Sequence, residues 1–247
     1  MRYGCFLLCG LFFCFSLKSQ SNYRFKNYTI NDGLSQSAVT TIIQDDNYSL
    51  WIGTQDGLNR FDGRSFEVFE ARSKKAPGLE NQDISCSEKT DDGKIWFGTA
   101  KDLTVYDPEV ERFKSYSFGK KSISVKSISK GFTGELWVAT DNHGLLRFDI
   151  KTKRFSVIKD ITKQKQVHLV KAIDKNNLLI YVEPHYNTSA FISYNPIAKT
   201  YKQIYFPSKN GKPVVVKRFV YKEKNQILIP TNQGVFLYNY KTNSLIS

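Results

Sequence analysis

Few residues of this 247-residue chain have types and spacings suited to chemistry. Glu183 and His185 flank Pro184 in an otherwise apolar stretch. A carboxylate and an imidazole can serve as general acid and base, provided they share a cleft that shifts their pKa values. No nucleophile-elbow pattern occurs, and the three histidines, His143, His168 and His185, lack the spacing of a zinc site. Cys5, Cys9 and Cys14 fall in an apolar N-terminal stretch. That leaves Cys86 in an alternating segment, where a buried small hydrophobe is the expected role and an internal disulfide is excluded. A rewired loop is the plainer account of residues 183–185, so no catalytic group, metal site or cofactor is expected. The candidates for ligand contact are polar loop residues: Gln36, Gln55, Asp56, Lys101, Asn142, His143, Tyr186 and Gln233. Such groups suit a glycan when a rigid scaffold presents them together.

What positions these residues is a repeat. Gln55 and Asp56 lie inside the stretch SLWIGTQDGLNRFDG, residues 49–63. Its Trp-Ile-Gly-Thr (51–54) returns as Trp-Phe-Gly-Thr (96–99) and Trp-Val-Ala-Thr (137–140). The tail Gly57-Leu58-Asn59-Arg60-Phe61-Asp62 matches Gly144-Leu145-Leu146-Arg147-Phe148-Asp149, and Leu103 to Asp107 stands at the same offset. Weaker copies centre on Tyr181 and Leu228 in place of the tryptophan. Each unit holds four apolar runs separated by Asp-Gly, Asn-His-Gly or Lys-Thr-Lys clusters, which are hairpin signals. Four short antiparallel strands in about 40–45 residues make one blade of a β-propeller. No segment keeps a helical period. The expected fold is all-β, with about five four-stranded blades near 38–70, 84–117, 125–159, 169–206 and 214–247. Residues 23–29 read as an outer strand closing the ring. Trp51, Trp96 and Trp137 are expected to fill the space between neighbouring blades rather than to stack on a ligand.

Residues 1–21 differ from the rest. Met1-Arg2 gives a positive start, and Cys5 to Leu17 is an almost unbroken apolar run. It is shorter than the roughly 20 residues that span a bilayer, and it suits a signal peptide cut around Ser19 to Ser21. A short N-terminal anchor is the competing reading of that run, and the chain is expected to be exported, to the periplasm or, as part of a longer sensor, to the periplasmic face of the inner membrane. Of 36 basic residues, 34 remain after Arg2 and Lys18 are removed, against 23 acidic ones, a charge of +11. That favours anionic partners. The basic residues are dispersed as on a solvated surface, and export argues against nucleic acid.

Tyr28-Thr29-Ile30-Asn31-Asp32-Gly33-Leu34-Ser35-Gln36, followed by repeats of the form Trp-Ile-Gly-Thr-x-x-Gly-Leu-x-x-Phe-Asp, resembles the two-component regulator propeller repeats. These build the periplasmic sensor region of hybrid two-component histidine kinases typical of Bacteroidetes. The resemblance runs over residues 23–247 and is most specific in the first three repeats. It implies an N-terminal part of a larger ring, since seven blades of about 44 residues need roughly 300. It also implies a module that senses a poly- or oligosaccharide, with acidic glycans favoured by the charge, and that lacks its own kinase output. No histidine here sits in a helical phosphoacceptor context. A homodimer formed through the propeller is a further expectation. Two alternatives stand beside this reading: a free-standing envelope carbohydrate-binding or scaffold propeller, and a propeller lyase or glycosidase.

Overall fold

The computed structural model describes residues 24–159, 161, 166–182, 190–207, 212–222 and 225–246. The expected signal peptide lies outside them. Among the described residues there are five four-stranded antiparallel sheets, each with its strands paired in chain order. Blade one holds β1 (Thr41–Gln44), β2 (Leu50–Gly53), β3 (Leu58–Phe61) and β4 (Phe66–Phe69). Blade two holds β5 (Ile84–Lys89), β6 (Ile95–Thr99), β7 (Leu103–Asp107) and β8 (Arg112–Tyr116). Blade three holds β9 (Val125–Lys130), β10 (Glu135–Thr140), β11 (Gly144–Asp149) and β12 (Arg154–Val157). Blade four holds β13 (Leu169–Asp174), β14 (Asn177–Tyr181), β15 (Ala190–Asn195) and β16 (Thr200–Tyr205). Blade five holds β17 (Val220–Lys222), β18 (Gln226–Thr231), β19 (Gly234–Asn239) and β20 (Ser244–Ile246).

The first strands of neighbouring blades lie side by side. Thr41 and Ser87 share a hydroxyl hydrogen bond of 2.6 Å, the Ser85 hydroxyl donates to the Val125 carbonyl at 2.6 Å, and Ala172 N donates to Ser129 Oγ at 3.0 Å. Behind these inner strands, every residue of β6 and β10 is buried. That is why the second strands read as apolar runs and not as alternation: a blade is covered on both faces by its neighbours.

The core is accordingly a series of clusters between blades. Trp51 packs with Ile84, Phe97, Tyr106 and Phe113 of blade two, Trp96 with Val125, Val138 and Phe148 of blade three, and Trp137 with Val170, Ile180 and Tyr194 of blade four. The tryptophans fill inter-blade space, as the sequence reading holds. Each repeat leans on the next, as in other repeat architectures.

Two sequence expectations need correction. Residues 24–29 form no strand, and Tyr23 lies outside the described residues. The Tyr28 ring instead packs edge-on against Phe61 (4.9 Å) and Phe66 (5.5 Å), which holds the segment against blade one. The outer position of blade five is occupied by β20. In blade four, the tryptophan position belongs to Leu179, not Tyr181. The pairing Thr41↔Gly53 corresponds to Leu169↔Tyr181, so Tyr181 stands where blade one has Gly53, and Leu179 stands where it has Trp51. Leu179 packs with Ile227 and Ile229 of blade five, as a tryptophan equivalent should.

That register explains the repeated small residue. A Cβ on Gly53 would lie 2.6 Å from Ile84 Cγ2, and one on Gly98 would lie 2.5 Å from both Cys86 Sγ and Val125 Cγ1. The next blade's inner strand approaches too closely for a side chain. Where Tyr181 occupies this position, its hydroxyl donates to the Val214 carbonyl at 3.3 Å. The chain opposite, at Val216, makes only an isolated bridge before the three-residue β17.

Candidate functional site

The polar residues of the repeat are turn-makers. Asp45 accepts the N–H groups of Asn47 (3.0 Å) and Ser49 (2.8 Å), and its other oxygen accepts Trp51 Nε1–H at 2.9 Å. Thr90 takes that place in blade two, accepting Trp96 Nε1–H at 3.3 Å. In blades one, two, three and five the threonine closing the second strand pins the following hairpin. Thr54 donates to the Gly57 carbonyl and accepts Asp56 N–H, Thr140 does the same with Gly144 and His143, and Thr231 with Gly234 and Gln233. The Asp or Asn that ends the third strand folds the next turn: Asp62 accepts from Arg64 and Ser65 N–H, Asp149 from Thr152, and Asn239 from Lys241 and Thr242. These turn hydrogen bonds hold the Asp62 and Asp149 carboxyls below the usual carboxylate range. In both residues a single oxygen, Oδ1, takes these turn hydrogen bonds.

The described loop residues singled out from the sequence lie on the hairpins between second and third strands or on the loops that lead to the next inner strand. Backbone bonds tie the two sets together: Ile84 N donates to Thr54 O, Ile123 N to Lys101 O, and Asp141 N to Ser124 O. Gln36 Nε2 donates to Asp56 at 2.9 Å, while its Oε1 has no partner among the described residues. Asn142 accepts Ser124 N–H and donates to the Ser122 carbonyl, and His143 Nε2 stands 3.3 Å from that same carbonyl with its ring edge-on to Phe118. Gln233 Nε2 donates to the Lys212 and Pro213 carbonyls. Gln55 and the Lys101 side chain are exposed. Tyr186 lies outside the described residues, with Glu183 and His185. The structure thus brings Gln36 to Asp56 and Asn142 and His143 to Ser122. Asn142, His143 and Gln233 clasp their own loops.

The other chemistry-bearing groups are quiet. Burial pushes the Cys86 thiol up to about 12, so it stays protonated, and no group of residues able to hold a metal occurs among the described residues. Asp102, buried beside Thr99 and Thr104, has its carboxyl raised by desolvation.

A sizeable concavity lies elsewhere, between blades three and four. It has a volume of about 560 Å³ and is walled by Trp137, Arg147, Ala172, Leu178 and Tyr194. Sequence reasoning missed it because its floor is a core tryptophan. The available signal was Gly131, which stands where Asp45 and Thr90 stand: Gly131 N donates to Glu135 O as Asp45 N does to Ser49 O and Thr90 N to Lys94 O. In blade three the turn-holding carboxylate has moved to Glu135, which accepts from Phe132 and Thr133 N–H. A Cβ at position 131 would fall 2.0 Å from its Oε1. Trp137 therefore loses the acceptor that its two counterparts have.

Known proteins bring the class into view first. The fold is that of the extracellular domain of a hybrid two-component system from B. thetaiotaomicron, with a TM-score of 0.72 over 90% of this chain and 31% of that one at 24% identity. Virginiamycin B lyase from Staphylococcus aureus shares it at a TM-score of 0.66, over 84% of this chain and 68% of that one at 12% identity. An extracellular domain of a two-component system and a lyase thus share this architecture, and the fold is a β-propeller. More particularly, residues 33–56 match the family model "two component regulator propeller". A 59-residue stretch, 24% of this chain and 4% of the relative, is 54% identical to histidine kinase P4 of Formosa agariphila. The chain carries a two-component regulator propeller repeat, as the sequence resemblance indicates, and matches only a small part of that relative's length. Among the described residues no helix is long and apolar enough to cross a membrane.

Proposed function

We propose that this chain is the exported, ligand-sensing propeller segment of a two-component signalling protein and binds a poly- or oligosaccharide in the periplasm without transforming it. The observation that carries the reading is the repeat match together with 54% identity to a histidine kinase over 59 residues. In this reading the blades are part of the larger, seven-bladed ring that the resemblance implies, two such propellers pair in a homodimer, and the kinase output lies in another part of the protein. The surplus of basic residues favours acidic glycans.

The test is binding measured beside turnover. The purified chain is titrated calorimetrically with acidic and neutral oligosaccharides, and each mixture is then chromatographed. Heat of binding with the saccharide recovered unchanged is the expected result. New saccharide products that depend on the protein would favour the lyase reading and overturn this one.

A further inference from the structure

We propose that the cleft between blades three and four is a ligand subsite for a hydroxylated organic anion, such as a uronic acid unit, with Trp137 as its floor. The proposal deepens the sensing reading by placing part of the ligand, and its test is separable from that reading's.

The first observation is a missing partner. Trp137 is 5% exposed, and its Nε1–H has no acceptor among the described residues, whereas Trp51 donates to Asp45 and Trp96 to Thr90. Indole N–H groups of core tryptophans ordinarily find a protein partner; this one is not sealed from solvent, so it opens on the cleft where water or a ligand reaches it. Trp137 is on the wall of a cleft, so a ligand oxygen can supply the acceptor.

The second observation is why the cleft is open here and closed in the first blade pair. Over Trp51, Tyr106 approaches to 4.4 Å and Phe113 to 6.2 Å, and Phe113 is 5% exposed. The pairings Tyr106↔Phe113 and Tyr194↔Tyr201 make Tyr201 the counterpart of Phe113. Tyr201 is 59% exposed, so the outer strand β16 does not close over Trp137. The volume left, about 560 Å³, falls in the range of small-molecule sites.

Charge sets the ligand class. Lys175 and Lys199 border the cleft, are exposed, and have no acidic partner among the described residues. Arg147 borders it too, with Glu135 3.8 Å away. The acids are otherwise engaged: Glu135 by the turn it holds, and Asp174 by Asn176 N–H and the Asn177 amide. The unspent charge is positive. Ala172 and Leu178 supply a short apolar wall, enough for the C–H face of a sugar ring but small for a lipid chain. An anion that also carries hydroxyls uses the lysines, the indole N–H and this wall together.

The experiment titrates the full chain with tetragalacturonic acid and with the neutral cellotetraose, following tryptophan fluorescence and calorimetric heat. We expect binding of the acidic probe with a fluorescence change. Trp137→Phe keeps the ring and removes the N–H, and should weaken binding about three- to tenfold, the worth of one hydrogen bond, while abolishing the fluorescence change. The Lys175→Glu, Lys199→Glu double variant, at exposed positions that leave the fold intact, should weaken binding at least as much and reduce its salt dependence. Equal binding of the acidic probe by wild type and both variants would place the ligand elsewhere, overturning the subsite while leaving the sensing reading intact. Preference for cellotetraose over the acidic probe would overturn the ligand class.

Discussion

Gly98→Ala adds one methyl group at the closest approach between blades two and three. The new Cβ would lie 2.5 Å from Cys86 Sγ on its own blade and 2.5 Å from Val125 Cγ1 on the next. Carbon contacts are favourable at about 3.5–4.0 Å, so the methyl overlaps two neighbours by about 1 Å each. Val125 is 1% exposed and β-branched, so it cannot swing aside. Overpacking of this kind costs about 1–3 kcal/mol. In a domain of this size each kcal/mol lowers Tm by about 2–4 °C. Urea unfolding of the purified chain should show a lower midpoint at unchanged slope. The cause is isolated by Val125→Ala: in that background, Gly98→Ala should cost at least about 0.5 kcal/mol less, the coupling expected of side chains in contact. Purely additive costs, or a neutral Gly98→Ala, would refute the argument that inter-blade approach selects the small residue.

Other expectations follow from the turn chemistry. Asp45→Ala removes the acceptor of Trp51 Nε1–H and of two turn N–H groups, and should destabilise by about 1–3 kcal/mol in denaturant titration; Asp45→Asn restores the turn acceptor but faces its NH2 to the Trp51 N–H, and should recover only part of the loss. Thr99→Val leaves the Lys101 and Asp102 N–H groups and the Asp102 carboxylate short of a partner, for a similar cost, while Thr99→Ser should stay close to wild type. Asp102 is a pH test. Burial raises its folded carboxyl pKa, so the folded state holds the proton more tightly than the unfolded one. Its favourable contribution is complete below the unfolded pKa and is lost as pH rises through the raised folded value. Asp102→Asn should therefore gain stability relative to wild type as pH climbs through the carboxylate range. A difference that is flat with pH would contradict this.

The repeat was legible because its signals are local. Trp-x-Gly-Thr and aromatic-Asp recur because every blade must pack a second strand against its neighbour and fold two tight turns, and those needs are met by residues adjacent in sequence. Gly63, at φ 95, is such a case. The same outer turn is made without glycine at Glu111 (φ 51), Lys153 (φ 59) and Lys199 (φ 55), which is why the later turns read less clearly. Blade four was misaligned by two residues because Tyr181 resembles a tryptophan in bulk, and the register that excludes it depends on pairing with Leu169. The cleft was hidden for a related reason. Its origin is a swap between Gly131 and Glu135 across one turn, together with the exposure of Tyr201 on a strand some sixty residues away, and neither change has meaning until the blades are set side by side. The described loop candidates were placed on hairpins and connecting loops by topology, but their individual partners, such as the Ser122 carbonyl shared by Asn142 and His143, are tertiary facts.

The central claim is that this propeller senses for a kinase, and phosphorylation tests it most directly. The complete product of the reading frame that encodes this chain is placed in membrane vesicles with labelled ATP, with and without tetragalacturonic acid and a panel of other oligosaccharides. The account predicts phosphohistidine whose level changes with a saccharide that the propeller binds and does not degrade. Product with no phosphohistidine in any condition, or a saccharide consumed by the propeller itself, would contradict it.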